Sequence, residues 1–288
     1  PIYKLKSIKN SKEINHMIKA HMKDGLALTR FIFWIKNINK KIITEVEAQN
    51  KLEKFRKLSK DYLFPSFNTI AGSGSNGAIV HYRAKTKTTK KINKKDILLV
   101  DSGGQYNYGT TDVTRTICFN NQKQSIKNAY TNVLKGHIAV AVTNLNKDNN
   151  GQKIDVRARK FLKKEGLDYA HGTGHGVGFF LNVHEGPQSI SKHNSIKIEK
   201  GMILSNEPGY YKKNHFGIRI ENLIYAKQLK NKLFFENLTF APLEKDLINH
   251  KLLNKTEKDY LFRYNLNIYS KYSASLNKKE RKWLASFI

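Results

Sequence analysis

The sequence predicts an α/β protein made of two related αβ halves that face one another. Two observations carry this reading: the chain runs helix pair, strand block, helix pair, strand block, and each strand block holds a pair of acidic residues beside Gly or Pro. A third is size. With 288 residues, 39% of them hydrophobic and 11% aromatic, the chain can bury a real core, which excludes a peptide hormone, a disordered linker or a collagen-like strand.

The elements follow in order. Asn10 or Ser11 caps a long amphipathic helix in which Ile14, Met17, Ile18, His21, Leu28, Ile32 and Ile35 recur at helical spacing. Thr44 and Glu47 have capping-box spacing, and Val46, Ala48, Leu52 and Phe55 line a second helix. Residues 67–82 and 97–119 are short apolar or β-branched segments broken by Gly, the texture of strands and tight turns. Between them the Lys/Thr-rich stretch 83–96 reads as a solvated loop, since it has no aromatic on which a base could stack. Helical texture returns over 122–145 and 154–164, the second ending before a capping Gly166. Strands at 202–207, 216–224 and 233–240 form a meander, and the chain closes in helices from Glu244 on, with Trp283 and Leu284 near the terminus.

Charge and cysteine content set the surroundings. The formal net charge is +29, yet 43 of the 52 cations are Lys and only 9 are Arg, and they are spread over the whole length. Bidentate phosphate and guanine recognition favours Arg. The charge is therefore read as compositional, with incidental polyanion binding and no specific nucleic-acid partner. Cys118 is the single cysteine, unable to close a disulfide within the chain or to build a thiolate zinc site, which fits a reducing, cytoplasmic compartment. No apolar run approaches the roughly 20 residues of a spanning helix, so the reading is a soluble protein without a membrane partner. Residue 1 is Pro rather than Met, as in a fragment or processed piece.

The chemistry lies in the strand blocks. Asp101 ends one apolar strand and Asp112 opens the next; if the Gly-rich stretch between them turns the chain back, a hairpin sets the two carboxylates side by side. Glu207 and Glu221 repeat the device around the turn 210–214. Taken singly, an Asp beside Gly is most often a turn residue and Glu207 before Pro208 an exposed strand end. Jointly, four inward carboxylates need cations, because like charges in a buried space force protonation or unfolding. His171, His175 and His184 fall within fourteen residues of a Gly-rich stretch and can complete the set. Four carboxylates and one imidazole suit two divalent ions, Mn²⁺ first, with Co²⁺ or Zn²⁺ as alternatives. A pair of ions about 3.5–4 Å apart holds a bridging hydroxide and polarises a carbonyl, which is hydrolase chemistry.

Several stretches together resemble a known family: Ala71-Gly-Ser-Gly74 with Asn76-Gly77 and His81-Tyr82, Asp101 to Tyr106 with Thr111 to Thr116, His171 to Gly178, Asn182 to Pro187, Ser205 to Tyr211, and Gly217 to Asn222. They are similar to the catalytic domain of Xaa-Pro aminopeptidase (aminopeptidase P), in particular its cytosolic eukaryote-like subgroup. The similarity begins at His21 to Gly25 and runs through Phe235 to Thr239 to the tail around residues 257–265, nearly the whole chain.

The resemblance implies the pita-bread fold, two pseudo-symmetric αβ halves around a dinuclear metal site. It implies a catalytic unit over residues 1–243, a helical extension over 244–288, and the family's N-terminal domains absent from this chain. By motif, Asp101, Asp112, His175, Glu207 and Glu221 would be the metal ligands, with Asp112 and Glu221 bridging. His81 and His184 would flank the substrate and stabilise the oxyanion. Glu207 would also act as general base, and His171 would line the proline side of the cleft. Arg219, two residues before Glu221 and so on the same strand face, would partner a ligand carboxylate. The substrates implied are peptides with proline second, whose bond lacks an N–H and whose ring a shaped pocket can select. The tail beyond Lys251 resembles a segment used in homodimer contacts. A prolidase-like dipeptidase and a metal-free binding protein on the same fold are the rival readings, the second disfavoured by five intact ligand positions.

Overall fold

The computed structural model describes residues 2–38 and 42–288. A short helix α1 (Ile2–Ser7) leads into α2 (Ser11–Lys36), whose start is fixed locally: the Asn10 side chain accepts from the Lys12 and Glu13 N–H groups, and the Glu13 carboxylate returns to the Asn10 N–H. The same reciprocal cap, Thr44 with Glu47, opens α3 (Glu45–Arg56). After β1 (Tyr62–Pro65) comes β2 (Ile70–Ser73), a 3₁₀ turn over Gly74–Ala78, and then β3 (Ile97–Ser102), β4 (Gly104–Tyr106), β5 (Gly109–Thr110) and β6 (Val113–Cys118). β2, β3 and β6 form one antiparallel sheet in that order.

Period-two alternation decides what that sheet shows to each side. Leu98 and Val100 of β3 pack with Val113 and Ile117 of β6 against Leu28, Phe31, Ile32 and Ile35 of α2 and Ala48 and Leu52 of α3. The odd residues of β3 point the other way, Ile97 into the central core and Asp101 toward the second half.

The second half repeats the plan. Helices α4 (Gln124–Ala141) and α5 (Gly151–Lys163) precede two short pairing strands, β7 (Gly174–His175) and β8 (Ser189–Ile190), then β9 (Ile203–Asn206), β10 (Gly209–Lys212), β11 (Phe216–Arg219), β12 (Asn222–Leu229) and β13 (Lys232–Asn237). Gly166 stands at φ +68° with the Gly166 and Leu167 N–H groups bonded back to Lys163 and Leu162, a Schellman stop just past α5. β9, β12 and β13 form the second antiparallel sheet, and Leu204, Ile224, Ala226 and Phe235 pack on Val140, Ile154 and Ala158 of the helix pair. The C-terminal helices α6 (Lys255–Tyr272) and α7 (Lys278–Ala285) share an apolar cluster with α4 and β11 through Leu261, Tyr264, Ile268, Tyr272 and Leu284.

Three expectations are corrected. The strand read over 216–224 is two: β11 pairs with β10 as a separate ribbon, the chain breaks at Ile220 and Glu221, and β12 then joins β9 and β13. Between Asp101 and Asp112 the chain does not make one tight turn but inserts the ribbon β4–β5, which pairs with β1, a strand outside the ranges read as strand. Asp101 consequently lies opposite Thr114, with Asp112 diagonal to it rather than side by side. In the second half the expected opposition holds more directly, since Asn206 faces Asn222 and the next residues outward are Glu207 and Glu221.

Candidate metal centre

The five residues read as ligands all stand at strand ends. Asp101 is the penultimate residue of β3, Asp112 precedes β6, His175 ends β7, Glu207 follows β9 and Glu221 precedes β12. His81 follows the 3₁₀ turn, His171 lies ahead of β7, His184 lies between β7 and β8, and Arg219 closes β11. All nine line one cavity of about 430 Å³, together with Phe67, Val80, Arg83 and Val183. Residues as far apart in sequence as His81 and Glu221 are therefore brought to one place, the first half giving His81, Asp101 and Asp112 and the second the rest.

Loop chemistry makes this approach feasible. A Cβ at Gly174 would collide with the Ser205 carbonyl, so only glycine lets the His175 strand lie this close to β9. The Ser205 hydroxyl then serves both neighbours, accepting from the His175 N–H at 2.8 Å and donating to Glu207 Oε1 at 2.9 Å. His175 Nδ1 stands 2.9 Å from the Gly176 carbonyl, which holds the ring proton there and leaves the Nε2 lone pair facing Glu207 Oε1 at 3.3 Å and Asp112 Oδ2 at 3.4 Å.

The carboxylates are only partly satisfied. Thr114 Oγ1 donates to Glu221 Oε2 at 2.8 Å, and Arg219 Nη2 donates to Asp101 Oδ2 at 2.6 Å. Asp101 Oδ1, Asp112 Oδ1 and Glu221 Oε1 are buried without a hydrogen-bond partner among the described residues. Burial, then Asp101 and Glu207, hold the Asp112 carboxyl well above the ordinary carboxylate range; burial, then Asp112 and Glu207, do the same to Glu221. Four carboxylates against one buried guanidinium, that of Arg219, leave the interior of the cavity short of positive charge.

Donor atoms of Asp101, Asp112 and Glu221 lie within 4.8 Å of one another, as do those of His175, Glu207 and Glu221 and those of Asp112, His175 and His184. Asp112, His175 and Glu221 are thus each shared between two groups, while Asp101 belongs to one side and Glu207 to the other. This donor set fits two hard or borderline divalent cations. A further cluster of Cys118, Glu244 and Asp246 does not compare, because Lys36 already donates to both carboxylates.

Residues that sequence reasoning gave no role complete the surroundings. Tyr211 accepts from Arg219 Nη1 at 2.7 Å and lies 2.8 Å from His171 Nε2, while His171 Nδ1 is held by the Gly172 carbonyl at 2.7 Å. Both His171 nitrogens are therefore engaged, and it offers the cavity a ring rather than a free donor. Arg219 reaches Asp101 of the opposite half, not its own neighbour Glu221. The usable signal for Tyr211 is register: Gly209 faces Arg219, which puts Tyr211 two residues along on the same face. Burial lowers the His171 pKa, and burial with neighbouring His175 lowers that of His184, so both rings favour the neutral form.

Residues 15–228 match the model of metallopeptidase family M24, and residues 231–286 match the C-terminal region that accompanies it. The chain belongs to metallopeptidase family M24. Its architecture is the pita-bread fold of that family. It is 44% identical over 99% of its length to a probable Xaa-Pro aminopeptidase P of Paracoccidioides brasiliensis and 45% identical over 94% to one of Podospora anserina, covering 49% and 42% of those proteins. The M24 chain thus spans about half the length of the curated relatives it matches. Among solved structures, the X-prolyl aminopeptidase of Caenorhabditis elegans, described as a cytosolic enzyme with a di-nuclear active site, superposes with a TM-score of 0.93 at 34% identity, over 99% of this chain and 49% of that one. The prolidase of Pyrococcus furiosus superposes with a TM-score of 0.71 at 28% identity, over 84% and 67%.

Proposed function

We propose that this chain removes an N-terminal residue from peptides whose second residue is proline, using two divalent metal ions, Mn²⁺ first. The observation that carries the metal reading is the set of unpartnered buried carboxylate oxygens grouped around a shared Asp112 and Glu221. Asp101, Asp112, His175, Glu207 and Glu221 would hold the ions, which when bound lower the pKa of a shared water and polarise the scissile carbonyl. Similarity to the aminopeptidase P relatives, greater than to the prolidase in the share of this chain covered and in superposition, supports the aminopeptidase over the dipeptidase.

The side chains divide the remaining work. Glu207 receives a proton on a carboxylate oxygen, Ser205 keeping that group turned into the cavity. His184 and His81 stand on the open side as N–H donors to the charge that develops on the carbonyl oxygen. The His171 ring, braced by Tyr211, forms an apolar wall with Phe67 and Val80 against which a proline ring packs. Arg219 fixes Asp101 and Tyr211 at once, so the ligand and the wall move together.

A cytoplasmic location agrees with the cytosolic C. elegans relative and with the single buried Cys118, and no helix among the described residues is long and apolar enough to cross a membrane. Phe262 and Leu266, exposed and four residues apart on α6, fit a homodimer face. The test is hydrolysis of an Arg-Pro-Pro peptide and of the Arg-Pro dipeptide by metal-stripped protein after Mn²⁺ addition, beside calorimetric counting of bound ions. The expected result is release of Arg from the longer peptide, two ions bound, and loss of about 10²–10⁴ in kcat for Glu207→Gln. Cleavage of the dipeptide alone would move the reading to prolidase, and absence of metal binding would move it to a binding protein.

A further inference from the structure

Glu45, the first residue of α3, is fully buried, and no cation pairs with it among the described residues. Its two oxygens accept instead from the Ser73 N–H at 2.8 Å, the Asn76 amide at 3.0 and 3.2 Å, the Tyr82 hydroxyl at 2.8 Å and the Lys90 N–H at 3.0 Å. Every one of these donors belongs to the stretch 73–90, which runs past the mouth of the cavity and carries His81. The stretch is internally continuous: the Ile79 N–H bonds to the Asn76 carbonyl, the Tyr82 N–H to the Ile79 carbonyl, and the Asn76 amide lies 2.7 Å from the Tyr82 hydroxyl. It is also wedged against the second half, where a Cβ at Gly217 would collide with the Gly77 carbonyl.

His81, by contrast, is exposed and makes no hydrogen bond or ion pair among the described residues. Its position over the cleft comes only from the backbone on either side of it. A carboxylate withdrawn from water without a counter-ion is costly, and neutral donors offset the cost only when they converge on it. The buried charge and the shape of the stretch therefore depend on each other.

We propose that Glu45 is a positioning residue that sets His81 over the cleft through Asn76 and Tyr82. This rests on the role given to His81 in the proposed reaction. A glutamine at position 45 keeps the size but presents an NH₂ to groups that are themselves donors, so the stretch must loosen. The experiment is a double-mutant cycle of Glu45→Gln with His81→Ala, read by kcat and KM on the Arg-Pro-Pro peptide, by thermal melting, and by amide hydrogen exchange over 73–90. Glu45→Gln should lower kcat about 10- to 100-fold with KM changed little, since a small misplacement of a reacting group costs that much. In the His81→Ala background it should cost nothing further, while its effect on melting stays the same. Tyr82→Phe, a milder change, should show the same pattern at smaller size and serves if Glu45→Gln folds poorly. Equal loss of kcat in both backgrounds, or a His81→Ala variant as active as the wild type, overturns the proposal. If the wild type cleaves no Xaa-Pro peptide, the functional reading fails separately, and unchanged exchange protection over 73–90 in Glu45→Gln then overturns the positioning role on its own.

Discussion

At the cavity floor, Asp112 and Glu221 are held in a state that their charges oppose. A buried acid whose folded pKa lies above its unfolded value destabilises the fold at every pH above the unfolded pKa, and the penalty disappears as the group protonates. For metal-free protein at pH 7 the sign is clear: replacing one of these charges should help. Asp112→Asn is expected to raise the melting temperature of stripped protein by about 2 °C or more while abolishing tight Mn²⁺ binding, which calorimetry and melting with and without Mn²⁺ would check. A lower melting temperature in the stripped variant would show that Asp112 contributes packing that outweighs its charge. The ligand-bearing motifs are legible in sequence because strand ends, Gly and acidic residues sit close together along the chain. Tyr211, Thr114 and Ser205 are less so, since each matters through a partner, His171, Glu221 or Glu207, whose side-chain direction depends on pairing register.

Among the elements, α4 is tied to the second sheet by the imidazole and the main-chain carbonyl of His137. His137 is fully buried, its Nδ1 lies 3.0 Å from the Asn206 carbonyl at the end of β9, and the Asn206 amide returns to the His137 carbonyl at 2.9 Å. Burial, with Arg115 adding to it, lowers its pKa to about 3. The folded state therefore keeps it neutral while the unfolded chain protonates near pH 6.5, so its contribution is complete above that value and declines as pH falls. Relative to His137→Gln, the wild type should lose about 2 kcal/mol between pH 7 and pH 5, measured by urea unfolding at both. A constant difference would contradict the burial of a neutral ring. The helices themselves are plain in the sequence, because the Asn10–Glu13 and Thr44–Glu47 caps are local. The division of 216–224 into β11 and β12 is not, because it is dictated by two different partners, β10 before the break and β9 after it.

Across the whole molecule, the two halves meet around charge. Arg115 of β6 crosses the interface to the Glu221 carbonyl at 2.6 Å, the Asn222 side chain at 2.8 Å and the Ala241 carbonyl at 2.9 Å, and Thr116 Oγ1 donates to the Arg219 carbonyl at 3.0 Å. Ions seated between Asp101 and Asp112 on one side and His175, Glu207 and Glu221 on the other would add to that clamp. Melting temperature should consequently rise with the logarithm of free Mn²⁺, by about 2.7 kcal/mol of stability at one hundred times Kd, and return to its base on chelation. A melting temperature indifferent to Mn²⁺ would place any ion outside the seam. The duplication was readable because each half repeats the same element order, whereas the seam itself depends on hydrogen bonds between residues about 100 positions apart.

Split ownership of the proposed ligands would also govern when a ribosome-bound chain can acquire metal. A nascent polypeptide that has emerged only as far as α5 exposes Asp101 and Asp112 without any of the remaining three, and two carboxylates alone are a poor trap for a transition metal in a cell full of competing chelators. Under the proposed ligand set, loading would wait until Glu221 has left the exit tunnel and both sheets have docked, which would leave the choice of ion to the finished cavity.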